Sequence, residues 1–149
     1  MKYDQIKQFL TKTEDQTDSN VRKILNAQQA DELQQSFPNL PSEYIDYLKG
    51  IGAGSFLQNR FMVYESPLDL SAIGLNEIYP SASHIHFFGD NFAGDFAGFD
   101  LSQKDSLVIE LWHDTGELNY TNKKFQSYIK EQMQDDEKET AVKPWWKFW

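Results

Sequence analysis

Between Ser55 and Tyr120 the chain breaks into short apolar runs separated by turn residues, and this spacing limits the possible folds more than any other feature. Ser55–Tyr64 holds two apolar pieces around Gln58-Asn59, the pattern of a hairpin. Ser83–Phe88 reads as a strand, Gly89-Asp90-Asn91 as a turn, and Asp95–Leu101 as the next strand. Ser106–His113, SLVIELWH, has the plainest alternation: Leu107, Ile109 and Leu111 on one face, Val108, Glu110 and Trp112 on the other. Asp114-Thr115-Gly116 then turns the chain into a short strand around Leu118 and Tyr120. Ser66–Pro80, broken by Pro67, Gly74 and Pro80, reads as irregular. A parallel pair needs a crossover of about a dozen residues or more, which the short links do not supply, so the sheet is expected to be mostly antiparallel.

Helical spacing occupies the flanks. Tyr3, Ile6, Phe9 and Leu10 outline a short N-terminal amphipathic helix, followed by a polar loop over Thr11–Asn20. Asn26 is a suitable N-cap for a second helix with Ala27, Ala30, Leu33 and Phe37 on its stripe, ended by Pro38. Leu40–Phe56, LPSEYIDYLKGIGAGSF, begins with a proline suited to a first helical turn. Tyr44, Ile45, Leu48 and Ile51 form its apolar stripe, Glu43, Asp46 and Lys49 point away, and Gly50, Gly52 and Gly54 end it. Phe125, Tyr128, Ile129 and Met133 define a last helix. Helices first, turn-linked strands next and a closing helix make an α+β fold with a central, mostly antiparallel sheet. At 149 residues the chain is one domain, taken as 1–134, with 135–149 a charged spacer and a Trp-rich tail.

The helix–glycine–strand junction of Leu40–Phe56 resembles the signature of the SUKH superfamily, which includes fungal cell-wall-assembly regulators and many bacterial toxin-immunity proteins. Three further pieces are similar in order and spacing: FFGDNFAGDFAGFDL at Phe87–Leu101, SLVIELWHDTGEL from Ser106, and FQSYI at Phe125–Ile129. The family often carries an asparagine in the turn after the helix, where this chain has Gly52-Ala53-Gly54. The resemblance implies a single α+β domain that binds and neutralises a cognate toxin, often a nuclease. It implies no catalytic residues, because the family has no shared catalytic set.

Charge narrows the partner class. From Phe61 to Asn122 stand Glu65, Asp69, Glu77, Asp90, Asp95, Asp100, Asp105, Glu110, Asp114 and Glu117 against Lys104 alone, a net of −9 that equals the charge of the whole chain. Phosphate recognition needs a basic footprint, so no nucleic-acid partner is expected. A basic protein partner or a cation fits this segment; the plainer alternative is an acidic surface that keeps a protein dispersed. There is no cysteine, hence no disulfide framework and no thiolate metal site. No run approaches the roughly 20 apolar residues of a membrane span, and MKYDQIKQFL does not read as a secretory signal, so a cytoplasmic protein with no membrane partner is expected.

Other motifs also have simpler readings. His84 and His86 share a strand face and could hold a metal with Asp90, Asp95 or His113 as a third ligand, but two ordinary strand histidines explain the pair as well. Asp90, Asp95 and Asp100 recur amid glycine without the order of a calcium loop, and turn chemistry accounts for them. His113-Asp114 are neighbours that face opposite ways on a strand and form no dyad. The expectation is therefore no cofactor, no metal and no enzyme. The Pro144–Trp149 tail can dock on its own body or on a partner. The residues expected to meet a basic toxin are Asp90, Asp95, Asp100, Glu110 and Asp114, with Phe92, Phe96 and Trp112 as aromatic anchors, although Phe96 and Trp112 also suit a core. The alternatives are a regulatory or scaffold module like the fungal relatives, and a metal-assisted hydrolase using His84 and His86.

Overall fold

A computed structural model describes residues 3–14, 22–57, 59–74 and 84–142, with side chains as far as Met133. Three helices lead the chain: α1 (Asp4–Thr13), α2 (Ala27–Ser36) and α3 (Ser42–Gly50). Six strands follow: β1 (Gly54–Phe56), β2 (Phe61–Leu68), β3 (Ile85–Asp90), β4 (Phe96–Asp100), β5 (Ile109–Leu111) and β6 (Leu118–Tyr120). Helix α4 (Phe125–Val142) closes the fold. The strands pair in chain order, every pair antiparallel, so the sheet is a plain meander. The α+β class and the antiparallel sheet expected from the spacing are what the chain adopts.

Local chemistry explains the helix limits. Asn26 caps α2 through Gln29 N–H at 2.8 Å, while the Gln29 side chain accepts Asn26 N–H at 3.0 Å, a complete capping box. Pro41 stands one place earlier than expected, at the N-cap of α3 with φ −60°. Gly52 ends this helix: its φ of +105° suits only glycine, its N–H reaches Tyr47 O at 3.0 Å, and a β-carbon there would lie 3.0 Å from Lys23 O. That close approach lets Lys23 and Ala53 exchange two 2.8 Å backbone hydrogen bonds beside the start of β1. Helix α1 runs three residues into the expected Thr11–Asn20 loop, with the Thr11 and Thr13 hydroxyls donating to the carbonyls of Lys7 and Phe9. The rest of that loop after Glu14 falls outside the described residues.

The sheet separates two cores. Its helix-covered face carries Phe56, Phe61, Val63, Phe88, Ala97, Phe99 and Val108. Tyr3, Tyr44, Tyr47, Leu48, Phe125, Tyr128, Ile129 and Met133 pack over them. Phe88 is the hub, with ring centroids 4.9 Å from Phe99 and 5.0 Å from Phe125. Tyr47 was absent from the expected α3 stripe yet is fully buried, because α3 is enclosed on two sides by α1 and α4. Glu43, expected to point away, is half-buried and accepts Gln126 N–H at 2.9 Å in the first turn of α4. The opposite face holds a smaller core of Ile85, Phe87, Ile109 and Leu111 with Leu70 over it.

Strand limits differ from expectation where hydrogen bonds are diverted. Strand β2 continues through Pro67 to Leu68, not stopping at Tyr64, because a register shift between Val63 and Leu68 accommodates a residue without an N–H. Strand β3 reaches Asp90, so the turn begins at Asn91. Strand β5 is only Ile109–Leu111, not Ser106–His113. Ahead of it, Ser106 Oγ accepts Asp100 N–H, Val108 N–H reaches Lys123 O, and Leu107 is turned out to solvent instead of sharing the buried face of Ile109 and Leu111. The stretch read as a spacer, Asp135–Glu139, lies within α4, and residues 143–149 of the Trp-rich tail are outside the described residues.

Candidate protein-binding surface

A meander sends alternate turns to opposite ends of its sheet. The links β3–β4 and β5–β6 therefore share one end, and β4–β5 lies at the other. Register confirms the juxtaposition: Asp90 pairs with Phe96, and Phe96 pairs with Leu111. The two turns touch directly. Asp95 Oδ1 accepts the His113 backbone N–H at 3.0 Å and lies 2.8 Å from the His113 ring Nδ1.

The β3–β4 turn is braced by its own side chains. Asn91 Oδ1 accepts the N–H groups of Ala93 at 2.9 Å and Asp95 at 3.2 Å, and Asp90 Oδ1 accepts Phe92 N–H at 2.8 Å. These bonds are the turn chemistry anticipated for an Asp/Asn pair beside glycine. They hold Phe92 at φ 63°, the left-handed region that a bulky residue rarely occupies. The Phe92 side chain is 49% exposed. Asp90 Oδ2 takes the Tyr64 hydroxyl at 2.5 Å, so its carboxylate is anchored from β2 as well.

The β5–β6 turn closes through Trp112 N–H to Glu117 O at 3.0 Å and Gly116 N–H to Trp112 O at 2.7 Å. Trp112 is 38% exposed, and its indole N–H donates to Glu110 Oε1 at 3.2 Å. His113 and Asp114 follow, both exposed. Burial opposes ionisation of Asp95, but the hydrogen bonds from the His113 backbone and ring and from Asn91 outweigh it, holding the carboxyl below its usual range. Asp95 therefore contributes fixed negative charge beside the exposed Asp114.

The structure thus gathers Asp90, Phe92, Asp95, Phe96, Trp112 and Asp114 at one end of the sheet. Phe96 is half-buried against Phe87, with ring centroids 5.7 Å apart, and serves the smaller core as much as the surface. Asp100 is not part of the group: it ends β4 at the other end, about 13 Å along the strand, where Ser102 holds its carboxyl below the usual range. Glu110 points to the α4 side and is occupied by Tyr128 OH at 2.7 Å, Asn119 Nδ2 at 2.9 Å and the Trp112 indole, which makes it a brace, not an open contact.

The histidine pair is likewise separated from its supposed third ligands. His86 pairs with Phe99 and packs its ring on Phe37, and His84 is exposed just before β3, next to Asp100 in charge terms. Asp95 and His113 lie at the far end. Reading along the chain missed their contact, because they are 18 residues apart. The register of β4 on β5 was the signal that could have found it. Among the described residues no helix is long and apolar enough to cross a membrane. No protein-family model, no curated protein and no solved structure matches the chain.

Proposed function

We propose that this chain is a non-catalytic protein-binding module of the immunity type, which captures a basic toxin domain at the hairpin end of its sheet. One observation carries the reading: Phe92 and Trp112 are held out to solvent by turns that are hydrogen-bonded into place, with Asp90, Asp95 and Asp114 around them. An exposed phenylalanine in a left-handed conformation is a local expense in stability that packing of the fold does not require. Aromatic anchors dominate interface energies, and a surface fixed before binding loses less entropy on complex formation. The surrounding carboxylates speed encounter with a basic partner and orient it. The likeness of the four sequence pieces to the SUKH superfamily supports the same reading and names the partner class, a toxin that is often a nuclease.

The test is co-expression with a basic nuclease-toxin domain, candidates being taken from any toxin gene found next to the gene for this chain, read as cell survival and as a purified complex. Protection and a complex are expected. Phe92→Ala with Trp112→Ala should weaken the complex by about 2 kcal/mol or more for the stronger anchor. Unprotected cells with no complex sink the reading.

A further inference from the structure

We propose that Asp95, His113 and Asp114 hold a single zinc ion at the hairpin end of the sheet. Each of the three offers a ligand atom, and these atoms lie within 4.8 Å of one another, the one such group among the described residues. The donors come from two different turns, so the cluster exists only because β4 and β5 are in register. Asp95 is fixed from three directions, by the His113 N–H, the His113 ring and Asn91 Nδ2 at 3.2 Å.

A separate feature sets the His113 ring close against the β3–β4 turn. Gly94 has φ +98°, and a β-carbon on it would lie 3.0 Å from His113 Cγ and 3.1 Å from Nδ1. The Nδ1 edge of the ring therefore rests over bare backbone, and any other residue at 94 would crowd it.

The donor set selects the cation. One imidazole nitrogen and two carboxylates suit zinc, with bonds of about 2.0–2.2 Å and neighbouring ligand atoms about 3.4 Å apart. Calcium requires six or more oxygen ligands, and magnesium retains most of its water, so neither is well served here. Binding exchanges the 2.8 Å contact between His113 Nδ1 and Asp95 Oδ1 for two metal bonds, and the exposed Asp114 side chain supplies the third ligand. Three protein ligands leave a fourth position open to water. The sequence leads to an expectation of no metal, with Asp90, Asp95 and His113 only possible third ligands beside His84 and His86, and with His113 and Asp114 facing opposite ways on a strand; the fold instead places His113 and Asp114 in a turn, on the same side as Asp95.

Chelator-treated full-length protein, titrated with zinc chloride, tests this by calorimetry and by the histidine ring signals in nitrogen-resolved NMR. Stoichiometric uptake is expected, with the His113 ring signals shifting and those of His84 and His86 unmoved. His113→Ala and, separately, Asp114→Asn should each weaken binding about tenfold or more. Asp114→Asn keeps the shape of an exposed side chain, so its loss of binding does not reflect unfolding. No saturable uptake overturns the proposal, as does uptake that survives both substitutions or that is removed by replacing His84 and His86. No toxin enters this experiment, so its outcome is independent of the partner reading.

Discussion

Phe88 and Phe92 are four residues apart and have opposite fates. Phe88 is wholly buried, touching Phe61, Phe99, Phe125, Tyr44 and Tyr128, whereas Phe92 stands 49% exposed on a strained backbone. The helix-covered side of the sheet uses aromatics to fill volume. The hairpin end holds them in place with polar bonds and leaves the rings in water. Composition cannot distinguish these uses, since both draw on the same high aromatic content.

Substitution should separate the two regions sharply. Phe88→Ala is expected to cost about 3–5 kcal/mol, read from urea denaturation, because a cavity opens amid several rings. Phe92→Ala should change stability by less than about 0.5 kcal/mol. Comparable losses at both positions would dissolve the distinction.

A smaller effect concerns acid. The folded-state pKa of Asp95 is depressed, so its contribution to stability is present above the unfolded value and disappears as pH falls through the folded one. Denaturation midpoints of the parent and of Asp95→Asn should therefore differ at neutral pH and converge as the pH is taken below about 4. A constant gap across that range would show that the carboxylate is not the source. A change of opposite sign is expected for Phe92→Gly, which should raise stability by roughly 0.5 kcal/mol by releasing the left-handed strain while weakening capture of a partner. A loss of stability would mean that the ring packs after all.

Local signals were legible in the sequence to the extent that their partners lay nearby in the chain. Asn26 and the stripe of Phe125, Tyr128, Ile129 and Met133 announced their helices, and turn residues announced the hairpins. Pro67 inside β2 was not readable, because the register shift that admits it depends on β3. The shortness of β5 was hidden for the same reason: Ser106 Oγ accepts the Asp100 N–H and Val108 N–H donates to Lys123 O, so neither joins a regular ladder. At the hairpin end the residue types were readable and their grouping was not. Asp100 looked equivalent to Asp90 and Asp95 until the strand length placed it at the other end, and Glu110 looked open until Tyr128 was brought to it by α4.

The meander also dictates the order in which a growing chain becomes self-sufficient. Every strand from β2 onward has a partner immediately before it, so a chain synthesised as far as Tyr120 already contains every strand-to-strand pairing of the sheet. The aromatic face at that moment still lacks Phe125, Tyr128, Ile129 and Met133, which arrive last. A ribosome-bound chain thus passes through a stage with a paired sheet and an aromatic face covered only in part, by the N-terminal helices, and emergence of α4 ends that exposure.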